Sequence, residues 1–486
     1  MIALREPFLD RSSFPAPATY RLLPFRFQRL PDDRYVVTND VGEFVILARE
    51  ELVAFQQKRL RSDSSTYRNL KARHFLFDEY SDCALDLLTL KVRTRAAPVA
   101  NFTALHIFVV TLRCDHSCHY CQVSRQTEDR TSFDMTIEHA KLALAFTFRT
   151  PASHVKIEFQ GGEPLLNFDV IRFVVEEAEA MAEAYGKVLQ FVIATNLAKL
   201  TDEMLKFAKE HEVYFSTSLD GPREMHEAHR PLRGGSSYDA TLSGVRRVRE
   251  TLGNDFVSAL MTTTPQSLGR VEEIIDEYVY QGFNSIFLRN LSPYGFAIRT
   301  NLVRKYDVDD WLDFYKRGLA HVLEWNRRGY ELREDFTSIL LQKMFAPRGA
   351  AYVDLQSPAG IGIAAIVFNY DGAIYASDEG RMLAEMKDES FRLGHLDTST
   401  YEGVFCGETL LQTLAESIPE ASPQCADCAY LPFCGADPVF HKATQADHVG
   451  HKAFSAFCKK QMGILSHLLM MLEDDPDARR VLMGWI

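Results

Sequence analysis

The sequence has 486 residues, which is enough for roughly two to four domains and too long for a single core. Its composition, with 46% apolar and 25% charged residues, is that of an ordinary globular protein, and no apolar run is long enough to span a bilayer. The formal net charge of −12 argues against a nucleic-acid partner held through phosphate contacts, and the N-terminus lacks the basic and apolar segments of a signal peptide. We therefore expect a cytoplasmic protein with no nucleic-acid partner and no membrane partner.

Residues 1–98 are predicted to form a small N-terminal module that begins with a Pro-rich arm over residues 1–20. Residues 35–38 and 43–47 have the pattern of two short strands joined by a turn, and a helix is predicted over residues 48–60. Two strands and one helix are too thin to be stable alone. The module is therefore expected either to cap the next domain or to bind a partner.

Three cysteines, Cys114, Cys118 and Cys121, follow the apolar segment 105–111 at a C-x3-C-x2-C spacing. A loop that leaves a strand end can fold three thiolates around one face of an iron–sulfur cube, which usually has four cysteine ligands. Three ligands leave one iron open to a small molecule. A structural zinc loop is the alternative, with His116 or His119 as the fourth ligand.

The spacing of these cysteines resembles the motif that defines the radical SAM superfamily, whose four-iron cluster binds and cleaves S-adenosylmethionine (SAM). The resemblance implies two cofactors, SAM and a [4Fe-4S] cluster with three cysteine ligands. Clustered cysteines in a chain without a leader also indicate a reducing compartment and metal ligation rather than disulfides.

Strand-like segments alternate with helical patterns between residues 105 and 289. The predicted strands are 105–111, 154–159, 189–194, 213–218, 257–262 and 285–289. This alternation predicts an α/β fold with a parallel sheet. Six units are too few for a closed eight-stranded barrel, and the resemblance implies the open (βα)6 partial TIM barrel of radical SAM enzymes over residues 99–300. In such barrels the active site lies at the carboxyl ends of the strands.

Two glycines and a glutamate, Gly161, Gly162 and Glu163, follow the second predicted strand. Glycines let the backbone approach a ligand closely, and a carboxylate accepts hydrogen bonds from an ammonium group. Alone, this tripeptide is more often a turn. Here it matches the GGE motif of the superfamily, which implies that it holds the amino group of SAM.

The fourth predicted strand ends in Ser218-Leu-Asp220-Gly-Pro, and Arg230 follows in a segment that also resembles the superfamily. The resemblance implies that Ser218 contacts the ribose of SAM. It also implies that Arg230, or Arg233 if the register differs, lies near the SAM carboxylate. Asp220 is either a ligand contact or a turn cap.

Two more residues match positions that border the cofactor in relatives. Asn196, at the end of the third predicted strand, is a possible cofactor contact by resemblance. Tyr120, just before the third cysteine, occupies an aromatic position that borders the adenine of SAM. Simple packing over the cluster is the alternative for Tyr120.

Residues 301–348 have a helical pattern without motif chemistry and are predicted to be a connector. A second set of cysteines lies in the region 349–465: Cys425, Cys428, Cys434 and Cys458. This set resembles the SPASM extension, which binds two auxiliary clusters through seven cysteines. The tail over residues 466–486 is the end of the last helix and a short charged segment.

The SPASM motif is incomplete in this chain. Ser377 and Pro438 occupy two motif positions, and no cysteine lies between residues 349 and 377. The missing ligands all serve the nearer auxiliary cluster, so the resemblance implies one auxiliary [4Fe-4S] cluster, held by the four remaining cysteines. A zinc ribbon with four thiolate ligands is the alternative.

Asp378 follows the first of these altered positions. In the related sulfatase-activating enzymes an aspartate at this place takes a proton from the substrate. General-base chemistry suits a carboxylate in a sheltered cleft. A salt bridge with Arg381 is the alternative.

These resemblances imply a radical SAM maturase that abstracts hydrogen from a side chain of a ribosomally made peptide and forms an intramolecular crosslink. Segments 23–44 and 369–382 further resemble the His-Xaa-Ser system maturases. That similarity implies a precursor peptide with His-Xaa-Ser repeats and a second radical SAM maturase as partners. The wider resemblance to peptide-modifying radical SAM enzymes implies an electron donor and a leader-binding N-terminal module of winged-helix type. The alternatives are sulfatase-activating oxidation of Cys or Ser on a protein, and a non-catalytic, zinc-bearing protein that binds peptides.

Overall fold

The computed structural model describes residues 17, 19–81, 83–127, 129–346 and 352–486. Most of the predicted N-terminal arm therefore lies outside the described residues. Residues 347–351, at the predicted boundary between the connector and the C-terminal region, also lie outside them. The chain divides into two compact units, residues 1–96 with 423–432 and residues 97–422 with 433–486.

The first unit is an α+β module. Its strands are β1 (Tyr20–Leu22), β2 (Arg26–Arg29), β3 (Tyr35–Thr38), β4 (Phe44–Leu47) and β5 (Leu76–Asp78). Its helices are α1 (Arg49–Gln56), α2 (Ser65–Ala72) and α3 (Ala84–Ala96). Strands β2, β3 and β4 form an antiparallel sheet, and β1 pairs with β5.

The predicted hairpin is the β3–β4 pair of this sheet. The side-chain oxygen of Asn39 accepts hydrogen bonds from the backbone N–H groups of Val41 (3.2 Å) and Glu43 (3.1 Å). An asparagine that bonds to its own backbone two residues later stabilises a tight turn. The predicted helix over 48–60 is present but shorter, as α1, and it buries Leu52 and Phe55 in the core of the unit.

The segment 423–432 is distant from this module in the sequence but is part of the same unit. Thr38 donates a hydrogen bond to the carbonyl of Ala429 (2.7 Å), and Arg95 donates one to the carbonyl of Pro432 (3.0 Å). Arg26 also donates a hydrogen bond to the carbonyl of Ala426. The first two cysteines of the C-terminal set therefore lie in a segment bound to the N-terminal module.

The second unit contains the large sheet. Its strands are β6 (Leu105–Thr111), β7 (His154–Gly161), β8 (Val188–Ala194), β9 (Val213–Ser218), β10 (Val257–Thr262), β11 (Ser285–Ile286), β12 (Leu288–Arg289), β13 (Arg333–Glu334), β14 (Ala365–Phe368), β15 (Ala373–Tyr375) and β16 (Arg392–His395). Its helices up to residue 345 are α4 (Arg130–Phe133), α5 (Ile137–Thr147), α6 (Phe168–Tyr185), α7 (Asp202–Glu210), α8 (Arg223–His229), α9 (Ser237–Leu252), α10 (Val271–Tyr280), α11 (Phe296–Arg299), α12 (Val308–Arg327) and α13 (Asp335–Phe345). The later helices are α14 (Asp378–Ala384), α15 (Tyr401–Phe405), α16 (Glu408–Glu416), α17 (Pro438–Gln445), α18 (Ala456–Asp474) and α19 (Pro476–Met483).

The large sheet has the strand order β12-β10-β9-β8-β7-β6-β14-β15-β16. Every pairing from β12 to β14 is parallel, and only the last two pairings are antiparallel. The predicted α/β class with a mainly parallel sheet is therefore confirmed. Consecutive βα units lie side by side, so the carboxyl ends of the strands meet at one edge.

Two parts of this sheet differ from the prediction. The predicted sixth strand over 285–289 is broken at Phe287, since β12 pairs with β10 whereas β11 pairs with β13. In addition, β14 joins the sheet in parallel beside β6, with Val367 opposite Ile107. A strand from the region after the connector thus extends the sheet next to the cysteine loop.

The core of the second unit lies at the middle of this sheet. Phe108, Phe159 and Phe368 come from three adjacent strands, and each is fully buried. The ring centroid of Phe108 lies 6.1 Å from that of Phe159 and 5.3 Å from that of Phe368, distances typical of favourable aromatic pairs. This packing fixes the strand ends from which the site is built. Among the described residues, no helix combines the length and the apolar character needed to cross a membrane.

Candidate active site

The carboxyl ends of the parallel strands surround a cavity of about 240 Å³ in the second unit. The loop after β6 contributes all three cysteines of the C-x3-C-x2-C motif to its lining. The lining residues from the later strand ends are Gly161 and Gly162 (β7), Asn196 (after β8), Ser218 (β9), Thr262 (β10) and Arg289 (β12). Tyr120, Arg230 and Asp378 also line this cavity. Most of the predicted site residues are therefore brought together in one place, and Glu163 and Asp220 lie outside the lining.

The cysteine loop begins at a buried ion pair. Arg113 donates two hydrogen bonds of 2.7 Å to the two carboxylate oxygens of Asp134, and a third of 2.6 Å to the carbonyl of Leu166. Bidentate pairs of this type fix orientation as well as adding energy. The backbone just before Cys114 is therefore held rigidly.

The rest of the loop is bound through its backbone. Ser117 donates to the carbonyl of Pro231 (2.9 Å), and Phe296 donates to the carbonyl of Cys121 (2.8 Å). Gly295 has a φ of +58°, and a Cβ atom there would lie 2.6 Å from the carbonyl oxygen of Gln122. Only glycine fits this contact, and no motif in the sequence marks Gly295.

Gly161 and Gly162 pack against the start of the cysteine loop. A Cβ atom on Gly161 would lie 2.0 Å from the carbonyl oxygen of Thr111, and one on Gly162 would lie 2.2 Å from that of Arg113. The backbone N–H of Gly162 donates to the Thr111 carbonyl at 2.8 Å. The two glycines thus allow the end of β7 to touch the end of β6, which gives them a structural role beside the predicted contact with SAM.

We expect Gly162→Ala to lower the free energy of unfolding by about 3 kcal/mol, because the new methyl group would overlap backbone atoms that cannot rotate away. Urea denaturation of the cluster-free chain measures this change. Gly269→Ala is the matched control, since a Cβ atom there has no neighbour within 4 Å and we expect a change within about 0.5 kcal/mol. If both variants had the same free energy of unfolding, the close packing of Gly162 against the Arg113 carbonyl would be disproved.

Glu163 is fully buried behind the cavity. One carboxylate oxygen accepts hydrogen bonds from the Thr195 hydroxyl (2.6 Å) and the Leu165 N–H (3.0 Å), and the other accepts one from the Asn196 N–H (2.8 Å). Burial raises the pKa of Glu163 to about 7, although the three hydrogen bonds favour its ionised form. In this geometry Glu163 joins the ends of β7 and β8, and its contact with SAM stays a prediction.

Asp220 is the centre of a second buried network. Its carboxylate accepts hydrogen bonds from the hydroxyl of Tyr120 (2.5 Å) and from Nε of Arg230 (2.9 Å). Burial acts to raise the pKa of Asp220, but the charge of Arg230 and the neighbouring histidines outweigh it, so the pKa lies below its ordinary value. The guanidinium of Arg230 also lies 5.2 Å from the ring centroid of Tyr120. Asp220 therefore positions two residues that line the cavity.

Asn196 connects the third strand end to the cysteine loop. Its side-chain N–H group donates to the carboxylate of Asp115 (2.9 Å) and lies 2.9 Å from Nδ1 of His116. Oδ1 of Asp115 lies 2.8 Å from Nδ1 of His116. Asp115 thus orients the residues between Cys114 and Cys118, a role that the motif spacing does not predict.

Asp378 forms the predicted ion pair and also lines the cavity, and its role as a base stays a prediction. Its carboxylate forms an ion pair with Nε of Arg381 at 3.0 Å, and Arg381 is almost completely buried. Asp378 also lines the cavity together with the three cysteines. The ion pair therefore orients the carboxylate at the cavity wall and does not remove it from the site.

The cysteine loop fits a cluster better than a single zinc ion. Cys114, Asp115 and His116 have ligand atoms within 4.8 Å of one another, but neither Cys118 nor Cys121 belongs to this group. Ligands of one ion must be close together, whereas a cube binds each thiolate at a different iron atom. Burial raises the pKa of the Cys118 thiol to about 12 and also raises that of Cys114. Such thiols ionise when a metal binds them.

The C-terminal cysteines are distributed over both units. Cys425 and Cys428 lie in the segment 423–432 of the first unit, and Cys434 and Cys458 lie in the second unit. Cys458 is in the first turn of α18, and its backbone N–H donates to the hydroxyl of Ser455 at 3.2 Å. The four-cysteine ligand set stays a prediction from the sequence.

Residues 108–278 match the family profile of the radical SAM superfamily. These residues, which contain the cysteine motif and the strands β7 to β10, thus form a radical SAM domain, which confirms the resemblance drawn from the cysteine motif. Proteins of this superfamily are enzymes that use SAM and a [4Fe-4S] cluster.

Individual proteins are similar to this chain in sequence. A protein of Methanothermobacter thermautotrophicus is 30% identical over 187 residues, a match that covers 37% of this chain and 66% of that protein. A protein of Methanocaldococcus jannaschii is 29% identical, and the match spans 62% of its length. The chain thus spans slightly less than two thirds of these archaeal relatives. A cysteine-type anaerobic sulfatase-maturating enzyme of Clostridium novyi is 19% identical over 74% of this chain and 94% of that enzyme.

Solved structures of other proteins share the fold. The enzyme anSMEcpe with bound AdoMet has a TM-score of 0.63 at 15% identity, and the match covers 78% of this chain and 99% of that one. Streptococcus suis SuiB bound to its precursor peptide SuiA has a TM-score of 0.53 at 12% identity, with 90% and 99% covered.

Proposed function

We propose that this chain is a radical SAM maturase that modifies a ribosomally made precursor peptide by forming an intramolecular crosslink between side chains. One observation carries the proposal. Three cysteines, two glycines and the polar residues of four further strand ends converge on a single cavity. Site residues of a radical SAM enzyme would have to meet in this way at the carboxyl ends of the strands.

When bound, the cluster and SAM supply a 5′-deoxyadenosyl radical that removes a hydrogen atom from an unactivated carbon, and the protein positions the reactants. Cys114, Cys118 and Cys121 would hold the cluster. Tyr120 and Arg230, fixed by Asp220, would border SAM at the adenine and the carboxylate, and Ser218 would contact the ribose.

A crosslink removes two hydrogens from the peptide. One would leave as an atom, taken by the 5′-deoxyadenosyl radical, and the other as a proton and an electron, with the electron passing to the auxiliary cluster proposed below. We assign the proton to Asp378, since its carboxylate lines the cavity and is oriented by Arg381. A base must lie within hydrogen-bonding reach of the proton that it takes, and a residue of the cavity wall can meet that requirement.

Further cofactors and partners belong to the proposal. Cys425, Cys428, Cys434 and Cys458 would hold one auxiliary [4Fe-4S] cluster, and full thiolate ligation suits a structural or electron-transfer role. The substrate would be a precursor peptide with His-Xaa-Ser repeats, processed with a second maturase and an electron donor. We place these reactions in the cytoplasm, where thiols stay reduced.

Oxidation of Cys or Ser on a sulfatase is the second candidate function. The named relative from Clostridium novyi favours it, since the match covers 94% of that enzyme. The residues at the positions of the nearer auxiliary cluster count against it, because Ser377 and Pro438 cannot supply thiolates.

Mass spectrometry of a peptide incubated anaerobically with the reconstituted chain, SAM and dithionite tests the proposal. We expect a candidate precursor with His-Xaa-Ser repeats to lose the mass of two hydrogens without chain cleavage. The Cys118→Ala chain is the control and should leave the mass unchanged. An unchanged precursor, together with oxidation of a sulfatase-derived Cys peptide, would overturn crosslinking in favour of the second candidate.

A further inference from the structure

A second cavity of about 60 Å³ lies in the same unit and shares Arg289 with the cysteine-lined cavity. It has room for roughly four ordered water molecules. Five charged side chains line it: Asp354, Glu379, Asp437, Arg289 and Lys460. We call this cavity the polar subsite.

The polar subsite lies beside the positions where the SPASM motif would place ligands of the nearer cluster. Glu379 is two residues after Ser377, and Asp437 directly precedes Pro438. Carboxylates and cations therefore line a space next to the altered motif positions. Where the cysteines are missing, the neighbouring space is a cavity lined by charged side chains and is not filled by apolar side chains.

Two buried donors at the polar subsite have no acceptor among the described residues. They are the hydroxyl of Tyr294 and Nε1 of Trp311, whose residues are only 1% and 3% exposed. Tyr294 lies close enough to Asp437, Glu379 and Asp354 for each to raise its pKa, in addition to the larger effect of burial. A buried donor without a partner is costly, so the pair indicates a guest that accepts hydrogen bonds.

The carboxyl groups of the subsite can accept a hydrogen bond as well. Three carboxyl groups face two cations, and burial, together with the charge of the neighbouring carboxylates, raises the pKa of Asp354, Glu379 and Asp437. Lys460 is held in place, because its ammonium donates to the side-chain oxygen of Asn290 at 3.1 Å. Asp437 already accepts the backbone N–H of Phe440 at 2.8 Å, and each carboxyl group has further lone pairs that can accept a hydrogen bond from a guest.

We propose that the polar subsite receives a planar side chain of the substrate peptide that both donates and accepts hydrogen bonds, which is an imidazole or a carboxamide. One atom of such a group accepts from Trp311 or Tyr294 while another donates to a carboxylate. An ammonium or guanidinium group has no acceptor for these two donors, and an aliphatic group has neither. The aromatic rings of Trp311, Phe440 and Phe457 in the lining suit a flat guest.

The position of the subsite gives this recognition a role in the reaction. Glu379 directly follows Asp378, the residue to which we assign the substrate proton, and Arg289 lines both cavities. A guest side chain would thus bind close to the reacting residue of the same peptide. This inference rests on the proposed function. The polar subsite would select substrate peptides that carry a His, Asn or Gln near the modified residue.

The indole N–H signals of the chain test the proposal. The sequence has three tryptophans, so a ¹⁵N–¹H spectrum of the SAM-loaded holoenzyme shows three indole signals, and Trp311→Phe identifies that of Trp311. Imidazole, acetamide and methylguanidinium are titrated separately, at a pH above the pKa of free imidazole. We expect imidazole or acetamide to shift the Trp311 signal saturably. A shift with imidazole identifies His as the guest, and a shift with acetamide identifies Asn or Gln.

The signal of Trp325 is the internal reference, since its indole already donates to Asp276 at 2.9 Å. Tyr294→Phe should weaken the binding of the probe roughly fivefold, the effect of one hydrogen bond. Tyr280→Phe, at a tyrosine that is 82% exposed, should leave binding unchanged.

The proposal is overturned if no probe shifts the Trp311 signal, or if methylguanidinium alone does so. SAM cleavage measured in the same samples separates this result from failure of the proposed function. A chain that cleaves SAM without binding a probe disproves the subsite alone, and a chain that does not cleave SAM disproves the enzymatic proposal.

Discussion

Asp220→Ala is expected to lower the free energy of unfolding by about 3–5 kcal/mol, because it leaves a buried guanidinium without its counter-charge. Asp220 is fully buried, and Arg230 reaches it through Nε at 2.9 Å. The hydroxyl of Tyr120 loses its acceptor in the same variant. Urea denaturation of the cluster-free chain measures the change in stability.

Asp239→Ala is the matched control for Asp220, since it also removes an aspartate that pairs with an arginine in the same unit. Asp239 and Arg223 are both largely exposed, and pairs of this kind add little to stability. We therefore expect almost no change for the control. If the two variants were equally stable, the network around Asp220 would not hold the site together.

Cys118→Ala is expected to abolish cleavage of SAM and to lower the iron content from about eight to about four per chain, the loss of one cube. The reason is that a cube held at three corners cannot keep its position with only two thiolates. Iron analysis after anaerobic reconstitution and assay of 5′-deoxyadenosine together measure the effect.

Cys406→Ala is the control for this prediction. Cys406 is exposed and belongs to neither cysteine set, so its loss should change neither the iron content nor SAM cleavage. SAM cleavage that survives Cys118→Ala at the wild-type rate would mean that the cluster is not bound where we place it.

The main strands could be predicted from the sequence because their apolar runs are short and bounded by helical patterns. Residues 105–111, 213–218 and 257–262 are strands with the predicted ends. The break at Phe287 could not be predicted, since it depends on the pairing of β11 with β13, which lies beyond the whole of α12 in the chain. The position of β14 beside β6 likewise depends on pairing between segments far apart in the sequence, which periodicity does not encode.

In the candidate site, too, residues with a local sequence signal could be predicted and contacts between distant residues could not. The cysteines and the two glycines could be found because their spacing along the chain is itself the signal. The roles of Asp220 and Asp115 could not, because Asp220 binds Tyr120 and Asp115 binds Asn196, and both partners are distant in the sequence. The attachment of the segment 423–432 to the N-terminal module could not be predicted either. Thr38 and Ala429 are far apart in the sequence and come into contact only in the folded unit.

The most direct test of the central claim is the formation of 5′-deoxyadenosine by the wild-type chain after anaerobic reconstitution with iron and sulfide. Three thiolates that hold a cube with one open iron predict that SAM is cleaved once dithionite is added, and that cleavage requires Cys114, Cys118 and Cys121. A chain that binds zinc in place of iron, or that takes up a cluster and forms no 5′-deoxyadenosine, would contradict this account.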